Sequence, residues 1–408
     1  MKSKKSNFLK LLGPGLLFAG ASIGVSHLVQ STRAGADFGF GLIWALFLVH
    51  LFKYPFFQFG PRYATATGES LLDGYYKLGK SVLVVYFILN FITMFTIQAA
   101  VTIVTAGLAI NLFGLTDNVI TWSIIVTIIG LVILLVGRYK LLDNLMKIIV
   151  LTLTITTIIA VVMALFNTDK SYSFVQILPQ GTIEITFLIA FMGWMPAPLD
   201  VSIWHSLWSI EKKKDQSEFD TKKSILDFNI GYVSTILLGI CFISLGALVM
   251  FGSGENFSPS AGKFAQQFIG LYTHNIGESM YLIIGIAAFT TMFSTTLTTL
   301  DASPRAMTKT VELLTNKIRS KMYWFWIIFL AIGTIVILQY FMSEMGLLIK
   351  IATILSFLTA PFYAIINFIL ISGKHTPKQW RPSIGMKILS YLGILFLVGF
   401  SVWYLMNL

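Results

Sequence analysis

The stretch FMGWMPAPLD, Phe191 to Asp200, sets two prolines and a carboxylate inside an apolar run. Proline carries no N–H, so Pro196 and Pro198 free acceptor carbonyls one turn earlier, around Met192 to Trp194. Freed carbonyls bind cations. A second half-helix starting near Pro198 carries partial positive charge at its N-terminal end. Asp200 then either caps those amides, binds a cation or carries a proton. Met195 adds a thioether, a ligand for softer transition metals, although a lone Met in such a helix usually only packs.

A second stretch, GASIGVSHLVQ from Gly20 to Gln30, places helix-breaking glycines before a histidine. His27, three residues after Gly24, has three possible uses: ligating a soft divalent metal, switching protonation, or bonding to a freed carbonyl. Gln98 is the main polar group of its segment. Thr290 to Asp301, TTMFSTTLTTLD, is rich in hydroxyls that line an ion path or bond back to their own helix. Thr295 lies in its middle, and Asp301 is expected at the inner boundary. His205 falls ten residues after Met195. His50 and Lys53 share a segment, and Lys53 lies deep enough to need a partner or to snorkel.

The elements that position these groups must be membrane helices. The chain has 408 residues, 56% hydrophobic and 12% charged, against about 25% charged in soluble domains. Windows of about 20 apolar residues fall near 11–32, 39–60, 81–111, 119–137, 142–166, 183–209, 224–251, 277–301, 322–342, 345–372 and 385–407. The expected fold is therefore all-α and integral to the membrane, with eleven transmembrane helices in a single polytopic domain. The basic, apolar N-terminus imitates a signal peptide. Its glycines and the polytopic series behind it favour retention as the first span. The stretch 253–276 is a loop with room for a short surface helix. Cys241 is the one cysteine and reads as buried and apolar; it excludes an intrachain disulfide and a multi-cysteine metal site.

Placing the N-terminus in the cytoplasm puts 24 of the 29 Lys and Arg residues on one side, in the tail and near 61–80, 138–147, 210–223, 302–321 and 373–387. This obeys the positive-inside rule, with the C-terminus outside. It also explains the net charge of +11 as a basic face against anionic lipid, not a nucleic-acid surface. The run EKKKDQSEFDTKK mixes signs and reads as a solvated loop. Low charge suits a bacterial plasma membrane.

The two interrupted segments, the first and the sixth, are five apart. Such breaks in corresponding segments of two halves point to a transporter site. Five segments per half is odd, so the halves are expected to be inverted repeats of LeuT-like type. They span 11–166 and 183–372, with an extra helix at 385–407.

GPGLL at Gly13, AGADFGFGLIW at Ala34 and RYATATGESL at Arg62, with Met195–Pro196, resemble the NRAMP family of divalent-metal transporters. The resemblance is specific over about 1–80 and 190–206. It implies eleven spans, a five-plus-five inverted repeat and a metal site between spans 1 and 6. The family's span 1 motif is Asp-Pro-Gly-Asn, whose Asp and Asn bind metal. Here Gly24, Val25, Ser26 and His27 stand there, so the ligand Asp is absent. Met195 matches the family's thioether ligand and Met192 the residue offering a carbonyl. The family's His-Asn pair becomes Ala197 and Pro198, and its later His matches Ser202 or His205. Span 3 has no acid for the family's usual proton route.

The expected ion-binding set is Gly24, His27, Met192, Met195 and Asp200, with His27, Met195 and Asp200 as metal ligands. Gln98, Ser202, His205 and Thr295 make a path. The expected function is secondary transport of a cation, a divalent metal such as Mn or Fe, with an organic solute carrier or a passive channel as alternatives. No nucleotide loop, nucleophile elbow or H-E-x-x-H is present, so an enzyme is not expected. No resident cofactor and no protein partner are expected, only the cargo and the bilayer.

Overall fold

The computed structural model describes residues 13–136, 139–166, 173–216, 218–278, 281–318, 321–341 and 344–406. The basic N-terminal tail lies outside them. Among the described residues the ordered secondary structure is helical, without strands. Apolar runs of this length leave no other solution, because backbone polar groups facing lipid must be satisfied within their own segment.

The chain enters at α1 (Pro14–Ser22), breaks, and resumes through a π turn (Ser26–Ser31) into α2 (Thr32–Phe38). Then come α3 (Ile43–Thr67), α4 (Leu71–Leu78), α5 (Lys80–Phe113), α6 (Val119–Val136) and α7 (Tyr139–Phe166). The second stretch holds α8 (Thr182–Trp194), α9 (Val201–Asp215), α10 (Thr221–Leu245, extended by a π turn to Met250), α11 (Ala261–Ile276), α12 (Tyr281–Thr315), α13 (Met322–Val336), α14 (Met345–Ser372) and α15 (Ile384–Met406). Among the described residues six are long and apolar enough to cross a membrane: α5, α10 with its extension, α12, α13 continued to Tyr340, α14 and α15.

Several connections expected as loops are helical. Ser70 accepts from the Asp73 amide while Asp73 accepts from the Ser70 amide, a capping box that starts α4 inside the stretch 61–80. α12 runs on past Asp301 through Pro304, so Asp301 lies within a helix and pairs with Arg305 at 2.6 Å. The mixed-charge run is mostly the end of α9 and the start of α10, where Asp220 caps the Lys223 amide. The helix expected in 253–276 is α11. It is more than a surface helix, because Phe264, Phe268, Ile269 and Tyr272 are buried.

Glycine sets how closely α1 and α2 approach α10. A Cβ added at Gly15 would fall 2.1 Å from the Asp227 carbonyl oxygen, and one at Gly246 would fall 2.1 Å from that of Thr32. The two backbones therefore touch below and above the break in the first segment. Asp227 strengthens the lower contact, accepting from the Gly13 and Gly15 amides at 3.1 and 2.7 Å. These amides open a helix and have no intrahelical partner.

Candidate functional site

Helical bonding stops at Ser22 on one segment and at Trp194 on the other. The two interruptions meet around a small cavity of about 20 Å³, room for about one water molecule. Ser22, Val25 and Ser26 line it from the first segment, Trp194, Ala197, Pro198, Val201 and Trp204 from the sixth. Ile97 and Val101 of α5 and Thr295 and Thr299 of α12 complete the wall. Its polar lining is neutral. Ser22 Oγ and Trp204 Nε1 are buried and have no hydrogen-bond partner among the described residues. Thr295 bonds back to Thr291 and reaches the Gly20 carbonyl at 3.3 Å. Thr299 donates to Gln98 Oε1 at 2.6 Å, so Gln98 stands directly behind the cavity wall.

Gly24 lets α12 approach the break: a Cβ there would fall 2.8 Å from Thr295 Oγ1. The other expected ligands do not gather at the cavity. His27 faces α10. Its Nε2 lies 2.9 Å from the Thr235 carbonyl oxygen, and its Nδ1 lies 2.8 Å from Ser26 Oγ and 3.0 Å from the Ser22 carbonyl oxygen. A neutral ring protonated on Nε2 donates to Thr235, while Nδ1 is enclosed by Ser26 Oγ and the Ser22 carbonyl, to which Ser26 itself donates, so both nitrogens face protein groups. The Met195 thioether accepts from Ser31 Oγ at 3.9 Å and packs in the core. Among the described residues no three His, Cys, Asp or Glu side chains cluster as a metal centre.

Asp200 is the residue before α9 but makes no side-chain capping bond. Its Oδ1 is buried and unpartnered among the described residues. It does not line the cavity, although Pro198 and Val201 do, and it lies within electrostatic reach of Lys53, Tyr75, Tyr86 and Tyr363. The Tyr86 ring touches Tyr75 and Tyr363, at 6.1 and 6.2 Å between centroids. Ser202 accepts from Asn367 at 3.0 Å. His205 is buried against Phe18, Phe228 and Trp208, with no polar partner among the described residues.

Sequence reasoning undervalued one side chain. Lys53, fully buried on α3, donates to the carbonyls of Met192, Gly193 and Met195 at 2.7, 2.8 and 2.9 Å, with Ala197 O at 3.4 Å. The acceptors freed by the prolines are therefore occupied by the protein's own ammonium. The signal was present as a deep lysine and a proline-broken helix. Nothing local paired residues 139 positions apart.

Two larger depressions open at opposite ends of the sixth segment. One, at the start of α8, is lined by Asp37, Glu184 and Glu255 among apolar groups. The other, at the end of α9, mixes Glu69, Asp73 and Glu211 with Lys214, Arg305 and Lys309.

The fold is similar to that of a manganese transporter from Eremococcus coleocola, solved with an aromatic bis-isothiourea substituted compound. The TM-score is 0.75 at 12% identity, over 100% of this chain and 96% of that one. It is also similar to MhsT in complex with L-phenylalanine, with a TM-score of 0.63 at 13% identity, over 98% and 99% of the two chains. In sequence it is 37% identical over 402 residues to the uncharacterized protein PM0681 of Pasteurella multocida (strain Pm70), covering 96% of this chain and 93% of that protein. Residues 15–407 match the profile of the natural resistance-associated macrophage protein-like family. With a match of that extent, the chain belongs to the Nramp family of metal-ion transporters.

Proposed function

We propose that this chain is a secondary active transporter that carries a divalent metal cation of the Mn²⁺ or Fe²⁺ kind across the plasma membrane by alternating access. The observation that carries the reading is the cavity where both interruptions meet, walled by four segments of the bundle. Alternating access moves helices around such a central site and needs no nucleotide. The acidic depression of Asp37, Glu184 and Glu255 supports a cationic cargo by raising its local concentration. Residues 11–166 and 183–372 are read as inverted repeats, with 385–407 added. Reciprocal packing supports this: the first segment lies on α10, and the sixth lies on α3, where a Cβ at Gly60 would meet the Ser202 carbonyl oxygen at 2.3 Å. The basic loops support a cytoplasmic N-terminus and an external C-terminus.

Ser22, Ser26, Thr295 and Thr299 would hold the cargo through neutral oxygens. A divalent ion held by neutral oxygens keeps part of its water shell. The expected carboxylate, Asp200, would act from behind the break as a balancing charge. Proteoliposomes loaded with the purified chain should accumulate Mn²⁺ above protein-free vesicles, against its gradient when an opposing ion gradient is supplied. Mn²⁺ entry that only dissipates its own gradient would point to a channel.

A second reading is favoured by the Trp204 N–H and the Ile97, Val101 and Trp194 walls. Once the cavity widened, a small organic solute would find there the Ser22 hydroxyl and the Trp204 N–H, both without a partner among the described residues, and an apolar surface. Uptake of an amino acid from a mixed panel, with no Mn²⁺ uptake, would establish it in place of the first.

A further inference from the structure

Lys53 reaches from α3 into the end of α8 and finds an unusual concentration of acceptors. In an unbroken helix the Met192 carbonyl would accept from residue 196 and that of Gly193 from residue 197. Position 196 is proline and has no N–H, and the helix stops at Trp194. These oxygens carry the negative end of the helix dipole. An ammonium has three N–H groups, and three oxygens lie at 2.7 to 2.9 Å from Nζ. Among the described residues no carboxylate shares the cage; Asp200, the residue before α9, acts on it without an ion-pair contact, and His50 is the titratable neighbour on α3. A cage of main-chain oxygens around one monopositive centre is also the coordination that suits a free potassium or ammonium ion.

We propose that the carbonyl cage at the end of α8 is a monovalent-cation site whose occupant is the tethered ammonium of Lys53. The tether removes any need for free sodium or potassium at this position. It also withholds the Met192 carbonyl from a transported metal. The site stands on geometry alone; its consequence for transport rests on the carrier reading above.

The test uses the purified full chain in detergent, with its melting temperature measured in N-methylglucamine chloride and then with sodium, potassium, ammonium or n-propylammonium chloride added. Lys53→Ala empties the cage and its approach. Its melting temperature should fall by several degrees and recover, saturably, with potassium, ammonium or propylammonium, as site occupancy dictates. The parent chain should not respond. A Lys53→Ala variant that responds no differently from the parent would overturn the proposal. Lys53→Gln fills the same space with a neutral donor and guards against a variant that does not fold. If it matches the parent in melting temperature, the charge is unnecessary and the proposal fails. In proteoliposomes, parent uptake should be equal in sodium, potassium and N-methylglucamine, and Lys53→Ala uptake should require potassium or ammonium. Uptake by no variant, with the melting response intact, would sink the carrier reading and leave the site standing.

Discussion

Asp200 leaves one carboxylate oxygen buried without a partner among the described residues, and a buried acceptor in that state costs about 1–3 kcal/mol. It acts electrostatically on Lys53, the side chain that bonds to the carbonyls at the helix break. Asp200→Asn removes the balancing charge and keeps the shape. Uptake should fall on the order of tenfold, about 1.4 kcal/mol, with the protein still monodisperse on size exclusion. Unchanged uptake would make Asp200 a passive neighbour. His27 invites the opposite expectation from the one its family position implies. Both ring nitrogens are engaged by protein groups, so His27→Ala removes both contacts and leaves a void in the core, although the Thr235 carbonyl keeps its place within α10. The substitution should lower thermal stability by about 1–3 kcal/mol and leave cargo preference as it was. A changed preference among Mn²⁺, Fe²⁺ and Zn²⁺ would return His27 to the ligand set. The sequence showed which residues were costly in a membrane. It could not show which way they face, because helical periodicity is silent in segments that are apolar all round. Lys53 shows the gap: its depth was legible, its partners were not.

At the level of helices, the interruptions were written in the glycines near Ser22 and the prolines after Trp194, where local backbone chemistry decides the outcome. Extents were harder. α12 passes Asp301 without a polar break because Arg305 and Tyr323 satisfy the aspartate. α4 was missed although Ser70 and Asp73 have capping-box spacing, since its eight residues do not fill a membrane window. Close helix contacts were invisible, because glycine in an apolar run gives no hint of its partner. Gly231 is one such residue: a Cβ there would sit 2.1 Å from the Gly15 carbonyl oxygen. Gly231→Ala should therefore force α1 from α10 and cost about 1–3 kcal/mol, as overpacking does. Gly399, with nothing within 4 Å of a Cβ, is the control. Equal melting temperatures for Gly231→Ala and Gly399→Ala would refute the close contact.

For the molecule as a whole, fold class followed from hydropathy and the positive-inside pattern, whereas the vestibules did not. The acidic depression draws Asp37 from α2, Glu184 from α8 and Glu255 from the segment after α10. Residues so far apart in sequence meet only once the bundle is assembled. Replacing Glu184 and Glu255 together by Gln should raise the KM for a cation a few-fold at low ionic strength and leave the maximal rate unaltered. The difference should shrink near 0.15 M salt, where the screening length is about 8 Å. A salt-independent effect, or one on the maximal rate, would remove the steering role.

The glycine contacts that join the first segment to α10 have a mechanical meaning. Where main chain rests on main chain at Gly15 and again at Gly246, no side chain remains to change rotamer and let one rod slip past the other. Asp227 adds a latch at the lower end. The first segment and α10 are thereby one lever. Across the cavity wall, α12 meets the same segment through the hydroxyl of Thr295 and the bare Gly24, a seam held by one long hydrogen bond and side-chain packing. On the carrier reading proposed above, the cavity would open along that seam.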